Sequence, residues 1–108
     1  MSADNLSGGL YERTARLLGI GAVKRLSASS VAVFGIGGVG GHTAEALARS
    51  GVGRLLLVDA DTVDETNLNR QIIALRSTVG KSKAAAMRER ILDINPDCRV
   101  SIIERFYP

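Results

Sequence analysis

Residues 31–41, VAVFGIGGVGG, decide the fold of this chain. The first four are apolar and rich in β-branched side chains, which is typical of a strand that is buried on both faces of a parallel sheet. Gly35, Gly37 and Gly40 then satisfy the pattern G-x-G-x-x-G directly after this strand. The alanine-rich residues 42–50 predict a helix. The region therefore predicts a strand, a glycine turn and a helix in succession.

Further segments extend this pattern in both directions. Residues 55–58 predict a second buried strand, and residues 99–104 predict a third. Between them, residues 81–94 predict a helix that a proline stops. Residues 10–18 and 22–26 predict two short helices upstream. The order predicts an α/β chain with a Rossmann-like, three-layer α/β/α fold. Its parallel sheet has strand order 3-2-1, forms the N-terminal half of a doubly wound fold and is preceded by N-terminal helices.

The domain organisation follows from these elements. Residues 1–9 are small and polar and predict a flexible N-terminus, whereas residues 10–108 predict one nucleotide-binding domain. The first strand is apolar throughout, yet strand order 3-2-1 leaves it at an open edge of the sheet. We therefore expect the domain to be truncated at its C-terminal end, or a second copy of the chain to pair with this strand.

Composition restricts the function classes. The chain has 108 residues, of which 45% are hydrophobic and 23% charged, which excludes a multidomain protein and a disordered tail. The net charge of +3 permits an anionic ligand without the dense basic runs of an obligate nucleic-acid binder. One cysteine, Cys98, and one histidine, His42, exclude an internal disulfide and indicate no metal site. No apolar stretch approaches the ~20 residues of a membrane helix. Because the chain has a single cysteine and its N-terminus lacks the apolar core of a signal peptide, we expect a cytoplasmic protein.

The glycine turn is suited to binding phosphate. Glycines let the backbone approach a phosphate with no Cβ in the way, and the following helix N-terminus offers unpaired N–H groups and partial positive charge. Gly38 tightens the turn further. Asp59 ends the second strand, where a carboxylate accepts hydrogen bonds from ribose hydroxyls. These features allow an NAD-binding protein as readily as an ATP-binding one.

Two basic residues after the second strand discriminate between these ligands. Arg70 lies in the run DADTVDETNLNRQ, and Lys83 ends the run VGKSK. A dinucleotide has two phosphates and little need of further cations. A nucleoside triphosphate that is attacked at its α-phosphate needs positive charge along the whole phosphate chain. Arg70 and Lys83 therefore favour ATP, with ordinary surface charge as the alternative interpretation.

Residues 35–83 resemble the adenylation core of the ubiquitin-activating-enzyme superfamily, which includes the adenylyltransferases for molybdopterin-synthase and thiamine sulfur carriers. The runs TARLLG (14–19), AEALAR (44–49) and NRQI (69–72) are most similar to the branch that dehydrates threonylcarbamoyladenosine in tRNA. The run INPDCRV (94–100) agrees with that branch. The resemblance covers residues 10–104.

The resemblance implies ATP and Mg²⁺ as cofactors. It implies that the cofactor-binding residues are Gly35, Gly37, Gly38, Gly40, Asp59, Asp61, Asn67, Arg70, Gln71 and Lys83. Asn67, Arg70 and Lys83 would contact the triphosphate, and Gln71 would support Arg70. The catalytic residues that the resemblance implies are Arg70, Lys83 and Arg16. Members of the superfamily are usually homodimers in which an N-terminal arginine reaches the partner's nucleotide. That residue is Arg16 or, less favoured, Arg13. The Mg²⁺-binding aspartate and the acyl-substrate residues lie beyond the third strand in the family.

The implied activity is adenylation of a carboxylate by ATP, followed by dehydration and cyclisation of threonylcarbamoyladenosine in tRNA. One alternative is an adenylyltransferase for a ubiquitin-like sulfur carrier. Another is a non-catalytic nucleotide-binding or dimerisation module, and an NAD-binding fragment is disfavoured by Arg70 and Lys83. The tRNA partner follows from the resemblance alone, because the remaining arginines are scattered and no aromatic residues are interleaved with them.

Overall fold

A parallel sheet of three strands forms the centre of the described chain. The structure is a computed structural model that describes residues 9–106, apart from the side chains of Leu10 and Thr14. The elements in chain order are a 3₁₀ turn (Gly9–Tyr11), α1 (Glu12–Leu18), α2 (Ile20–Ser27), β1 (Ser30–Phe34), α3 (Val39–Ser50), β2 (Arg54–Val58), a second 3₁₀ turn (Glu65–Asn69), α4 (Lys83–Ile94) and β3 (Arg99–Ile103). The strand order is β1-β2-β3, and both pairs are parallel. The predicted Rossmann-like α/β arrangement is confirmed.

The hydrophobic core lies between the sheet and the helix pair α3 and α4. Val33, Leu55 and Leu57 project from the strands into this core. They meet buried residues of the two helices, which are Ala44, Ala48, Ala84, Met87 and Ile91. Both helices belong to right-handed crossovers that run in the same direction along the sheet, so both cover the same face. The core therefore depends on alternate strand residues packing against small and branched helix residues.

β1 is less buried than predicted. Val33 is buried, but Ala32 is exposed and the side chain of Phe34 is 57% exposed. Successive strand residues point to opposite faces, and α3 and α4 cover only one face. The expectation that β1 is buried on both faces is wrong for residues 9–106. The open edge predicted for β1 is confirmed, since β1 pairs with β2 alone among the described strands.

The helix boundaries differ from the prediction at their N-termini. α4 begins at Lys83 because the Ser82 hydroxyl accepts a hydrogen bond from the Ala85 N–H and caps the helix. α3 begins at Val39, inside the glycine turn, and α2 begins at Ile20. The predicted flexible segment 1–9 lies outside the described residues except for Gly9, which opens the first 3₁₀ turn.

Tyr11 fixes the N-terminal helices to the domain. Its ring packs on Gly51, where an added Cβ would lie 2.5 Å from Tyr11 Cε1. Its hydroxyl donates to Asn95 Oδ1 at 3.4 Å, and the Asn95 amide donates to the Ala48 carbonyl at 3.2 Å. Burial raises the pKa of Tyr11. These contacts hold α1 and α2 near the C-terminal ends of α3 and α4, which is the amino edge of the sheet.

Because α4 packs into the core, truncating one of its buried side chains should lower the free energy of unfolding substantially. Ile91 is fully buried, so Ile91→Ala should lower the free energy of unfolding by about 2–5 kcal/mol, measured by urea denaturation. Leu17→Ala is the matched control, because the Leu17 side chain is 83% exposed and its loss should change stability by less than about 0.5 kcal/mol. Equal losses for the two variants would contradict the assigned core.

Candidate nucleotide-binding site

In the glycine turn between β1 and α3, some glycines lie so close to neighbouring atoms that a side chain would not fit. An added Cβ on Gly40 would lie 1.6 Å from the Gly35 carbonyl oxygen, which no shift of a flexible side chain can relieve. Gly38 has φ +57° and is the N-cap of α3, with no side-chain hydrogen bond to the helix. The first amides of α3 therefore border the turn without a side-chain cap. This geometry is suited to a bound anion.

Asp59 connects this turn to the segment after β2. Asp59 Oδ2 accepts a hydrogen bond from the Ile36 N–H at 2.7 Å, and Oδ1 accepts one from the Asp61 N–H at 2.8 Å. A carboxylate has about four acceptor sites, so each oxygen can accept a further hydrogen bond. The backbone hydrogen bonds hold the side chain still, and the remaining lone pairs are available to ribose hydroxyls.

A cavity of about 310 Å³ opens at the carboxyl ends of the three strands. Its lining residues are Phe34, Gly35, Val58, Asp59, Ala60, Asp61, Arg105 and Phe106. The volume is at the lower end of the roughly 300–1,000 Å³ that small-molecule sites occupy. The carboxyl edge is where doubly wound sheets bind ligands. The structure therefore brings Gly35, Asp59 and Asp61, three of the predicted cofactor-binding residues, together at one cavity.

The sequence did not single out Arg105 and Phe106 as lining residues. Both lie within three residues of the end of β3, whose carboxyl end borders the cavity. The rule that ligands bind beyond the carboxyl ends of parallel strands contains this signal. Phe106 is 79% exposed and stands at the rim of the cavity.

Lys83 is buried beside an acidic residue of the cavity. Its ammonium lies 3.8 Å from the Asp61 carboxylate, and its backbone N–H donates to the Asp61 carbonyl at 2.9 Å. Thr62 and Ser82 form an antiparallel bridge that brings the two segments together. Lysine is rarely buried in proteins. The burial of Lys83 contradicts the alternative interpretation that it is ordinary surface charge.

Asn67 lies in the second 3₁₀ turn, and Arg70 is the C-cap of that turn. Asn67 is buried, and its Oδ1 accepts from the Asp64 N–H at 2.8 Å. Asp64 in turn accepts hydrogen bonds from the backbone and hydroxyl of Thr66, which lower the pKa of Asp64. Arg70 is exposed, and its Nη1 donates to the Thr66 carbonyl and to Asn69 Oδ1 at 2.9 and 3.0 Å. Among residues 9–106 no carboxylate neutralises Arg70.

Gln71 does not support Arg70, and that expectation is wrong. Its side chain packs on the glycine turn, where an added Cβ on Gly37 would lie 2.7 Å from Gln71 Nε2. Gln71 Oε1 is buried and has no hydrogen-bond partner within the described residues. The Arg70 guanidinium is instead held by Thr66 and Asn69. Gln71 therefore connects the second 3₁₀ turn to the glycine turn.

The structure does not bring the N-terminal arginines to this cavity. Arg16 forms an exposed ion pair with Glu12 at 2.5 Å on α1, and Arg13 is exposed on the same helix. The contacts of Tyr11 place α1 near the amino edge of the sheet, opposite the cavity. Both arginines are therefore remote from the cavity of their own chain.

The remaining reactive residues lie outside the site. Cys98 is buried, and burial raises the pKa of its thiol, which agrees with a structural role. His42 is exposed in the first turn of α3. In the part of the chain that the structure describes, no group of three or more metal-ligating side chains gathers. None of its helices is long and apolar enough to span a membrane.

The close approach in the glycine turn predicts a severe effect of one methyl group. Gly40→Ala should lower the free energy of unfolding by about 3 kcal/mol, the upper end for overpacking, because the new Cβ would overlap a backbone oxygen. Gly21→Ala in α2 is the control, since its Cβ would make only an ordinary 3.5 Å contact with Arg25. Thermal and urea unfolding measure both variants. A Gly40→Ala protein as stable as Gly21→Ala would contradict this turn geometry.

Comparisons with known proteins show the family of this chain. The family model described as the ThiF family matches residues 11–107. Over 97 residues the chain is 55% identical to the tRNA threonylcarbamoyladenosine dehydratase of Bacillus subtilis (strain 168), which covers 90% of this chain and 38% of that relative. Over 87 residues it is 47% identical to the probable adenylyltransferase/sulfurtransferase MoeZ of Mycobacterium tuberculosis (strain H37Rv), which covers 81% of this chain and 22% of that protein.

A solved structure is similar as well. The crystal structure of E. coli tRNA N6-threonylcarbamoyladenosine dehydratase, TcdA, in complex with ATP matches with a TM-score of 0.86 and 48% sequence identity. The match covers 92% of this chain and 42% of that one. The chain thus spans less than half the length of these relatives. Because the family model covers nearly the whole sequence, the chain belongs to the ThiF family.

Proposed function

We propose that the protein binds ATP and uses it to adenylate a carboxylate. The observation that carries this proposal is the cavity at the carboxyl edge, where Asp59 is locked to the glycine turn and Lys83 is buried beside Asp61. The complex of the similar E. coli enzyme with ATP supports it. The chain matches less than half of each of these relatives. ATP binding is therefore proposed from the residues of this chain, and the complete reaction is inferred from the family.

The residues present fit ATP. Asp59 has lone pairs free for ribose hydroxyls, and the cavity around it has room for a nucleoside. The glycine turn, with no Cβ at Gly37, Gly38 or Gly40, would lie under the phosphates. Arg70 and Lys83 supply positive charge from two separate elements. Mg²⁺ would bind mainly through the phosphates, as it prefers to do, with few protein ligands.

The chemistry we infer is displacement at the α-phosphorus. A carboxylate oxygen of the substrate forms a bond to the α-phosphorus as the bond to the pyrophosphate oxygen breaks, and the pyrophosphate carries the electron pair away. Arg70 and Lys83 would stabilise the negative charge on the phosphates as it shifts toward the leaving group. The Asp61 carboxylate orients the Lys83 ammonium, so the charge is positioned before the reaction begins.

For the substrate we propose threonylcarbamoyladenosine in tRNA, whose carboxylate would be adenylated. Cyclisation would then expel AMP, with net loss of water. The 55% identity to the Bacillus subtilis dehydratase supports this substrate. A second candidate is a ubiquitin-like sulfur carrier, which the 47% identity to MoeZ supports. We further propose a cytoplasmic homodimer in which Arg16, or Arg13, reaches the partner's nucleotide.

The proposed phosphate site predicts that the protein binds ATP and that Arg70 and Lys83 contribute to the affinity. Calorimetry of the purified protein should show binding of ATP with Mg²⁺, and Arg70→Ala/Lys83→Ala should weaken it at least about 100-fold, since each of the two charged contacts contributes roughly 1.5–3 kcal/mol. Lys24→Ala/Arg88→Ala removes the same charge from two exposed positions and should leave the affinity unchanged. Tighter binding of NAD than of ATP would instead support a dinucleotide-binding protein.

The identity of the carboxylate substrate determines which molecule is required for the exchange of pyrophosphate into ATP. Exchange of labelled pyrophosphate into ATP should depend on tRNA that carries threonylcarbamoyladenosine, because adenylation is reversible only while a carboxylate is present. Unmodified tRNA is the matched control. Exchange that instead requires a carrier protein ending in Gly-Gly would establish the sulfur-carrier activity. Binding of ATP with no exchange in either reaction would favour a non-catalytic nucleotide-binding module.

A further inference from the structure

Two arginines lie side by side at the amino edge of the sheet. Arg54 opens β2 and Arg99 opens β3, and the two are register partners, so their side chains leave the same face of the sheet. Both are exposed. Within residues 9–106 neither guanidinium forms an ion pair or a side-chain hydrogen bond. Like charges directly opposite each other repel, so an anion between them would stabilise the pair.

A second cavity of about 310 Å³ surrounds this pair. Its lining residues are Ser27, Ala28, Ser29, Ser30, Gly53, Arg54, Asp97 and Arg99. Its concave floor requires a glycine, because an added Cβ on Gly53 would lie 1.8 Å from the Ser27 carbonyl oxygen. This cavity is separate from the nucleotide site, since the five-residue strands hold the two edges roughly 17 Å apart.

The backbone around the arginines is already hydrogen-bonded. The Arg54 N–H donates to the Ser29 carbonyl at 3.2 Å, and the Arg99 N–H donates to the Gly53 carbonyl at 2.9 Å. The hydroxyls of Ser27 and Ser30 make no hydrogen bond in the described part of the chain. The donors available to a ligand are therefore two guanidinium groups and two hydroxyls on a fixed backbone.

Asp97 sets the charge of the ligand. Asp97 lines the same cavity, and within residues 9–106 its carboxylate forms no ion pair with either guanidinium group. Two guanidinium groups and one carboxylate leave one net positive charge. This balance suits a monoanionic phosphodiester better than the dianion of free phosphate. Planar guanidinium groups bind phosphate oxygens in a bidentate manner.

We propose that Arg54 and Arg99 bind a backbone phosphodiester of an RNA strand, with Ser27 and Ser30 as further donors. The inference rests on the proposed tRNA substrate and extends it to a contact remote from the reacting nucleotide. Because the pair lies at the opposite edge of the sheet from the nucleotide cavity, it holds the RNA without taking part in adenylation. A phosphate contact fixes the position of the RNA and carries no base specificity.

Anisotropy of labelled tRNA at several salt concentrations tests the pair. Arg54→Gln/Arg99→Gln should weaken tRNA binding about tenfold and make the plot of log affinity against log salt less steep by about 1. Arg76→Gln/Arg88→Gln removes the same charge from exposed positions elsewhere and should change the affinity by less than about twofold. Arg54→Lys/Arg99→Lys should restore the salt dependence but not the full affinity, because the planar fork is lost.

The other outcomes separate this inference from the proposed function. If the protein binds tRNA and the Arg54/Arg99 variant binds as tightly as the control, the pair is not the contact, although a tRNA substrate still stands. If the protein binds ATP but no tRNA, both the contact and the tRNA substrate are wrong. Calorimetry with inorganic phosphate gives a third arm. If inorganic phosphate binds saturably and needs Arg54 and Arg99, while the glutamine variant binds tRNA with unchanged affinity, the proposal that the pair binds an RNA phosphodiester is wrong. ATP affinity unchanged in the glutamine variant shows that it is folded.

Discussion

The carboxylate of Asp59 holds the candidate site together. One oxygen accepts the Ile36 N–H of the glycine turn, and the other accepts the Asp61 N–H of the segment after β2. Charge-assisted hydrogen bonds of this length are about twice as strong as neutral ones. Asp61 then fixes Lys83 through its carbonyl and carboxylate. A single side chain at the end of one strand therefore sets the relative positions of the turn, the loop and the start of α4.

Local signals predicted most of the fold. The apolar runs before Gly35 and Asp59 became β1 and β2, and the family assignment from the motifs is confirmed. The glycine pattern predicts this turn well because a Cβ at Gly40 would overlap the Gly35 carbonyl oxygen. That restriction arises within one turn and does not depend on distant contacts. The burial of β1 was overestimated. An apolar strand sequence shows that two faces are suited to burial, but it does not show which elements cover them.

The site contacts between distant segments were harder to predict. Gln71 follows Arg70 in sequence, so support of one by the other was a natural expectation, yet the chain direction after the second 3₁₀ turn carries the amide to Gly37. The burial of Lys83 depends on the bridge between Thr62 and Ser82, which no spacing in the sequence indicates. Periodicity and spacing describe neighbours along one element. They do not describe the side chains that another loop brings alongside.

The two cations of the site differ in how much of their charge a ligand would experience. Lys83 is buried, with the Asp61 carboxylate 3.8 Å away, so its field is partly compensated and its position is fixed. Arg70 is exposed and donates only to neutral oxygens, so its full charge remains although one nitrogen is anchored. An exposed guanidinium is also screened by water and salt until a ligand excludes them. In the proposed ATP complex, Lys83 would therefore orient the phosphates from the start, whereas Arg70 would contribute most once the nucleotide had displaced the solvent around it.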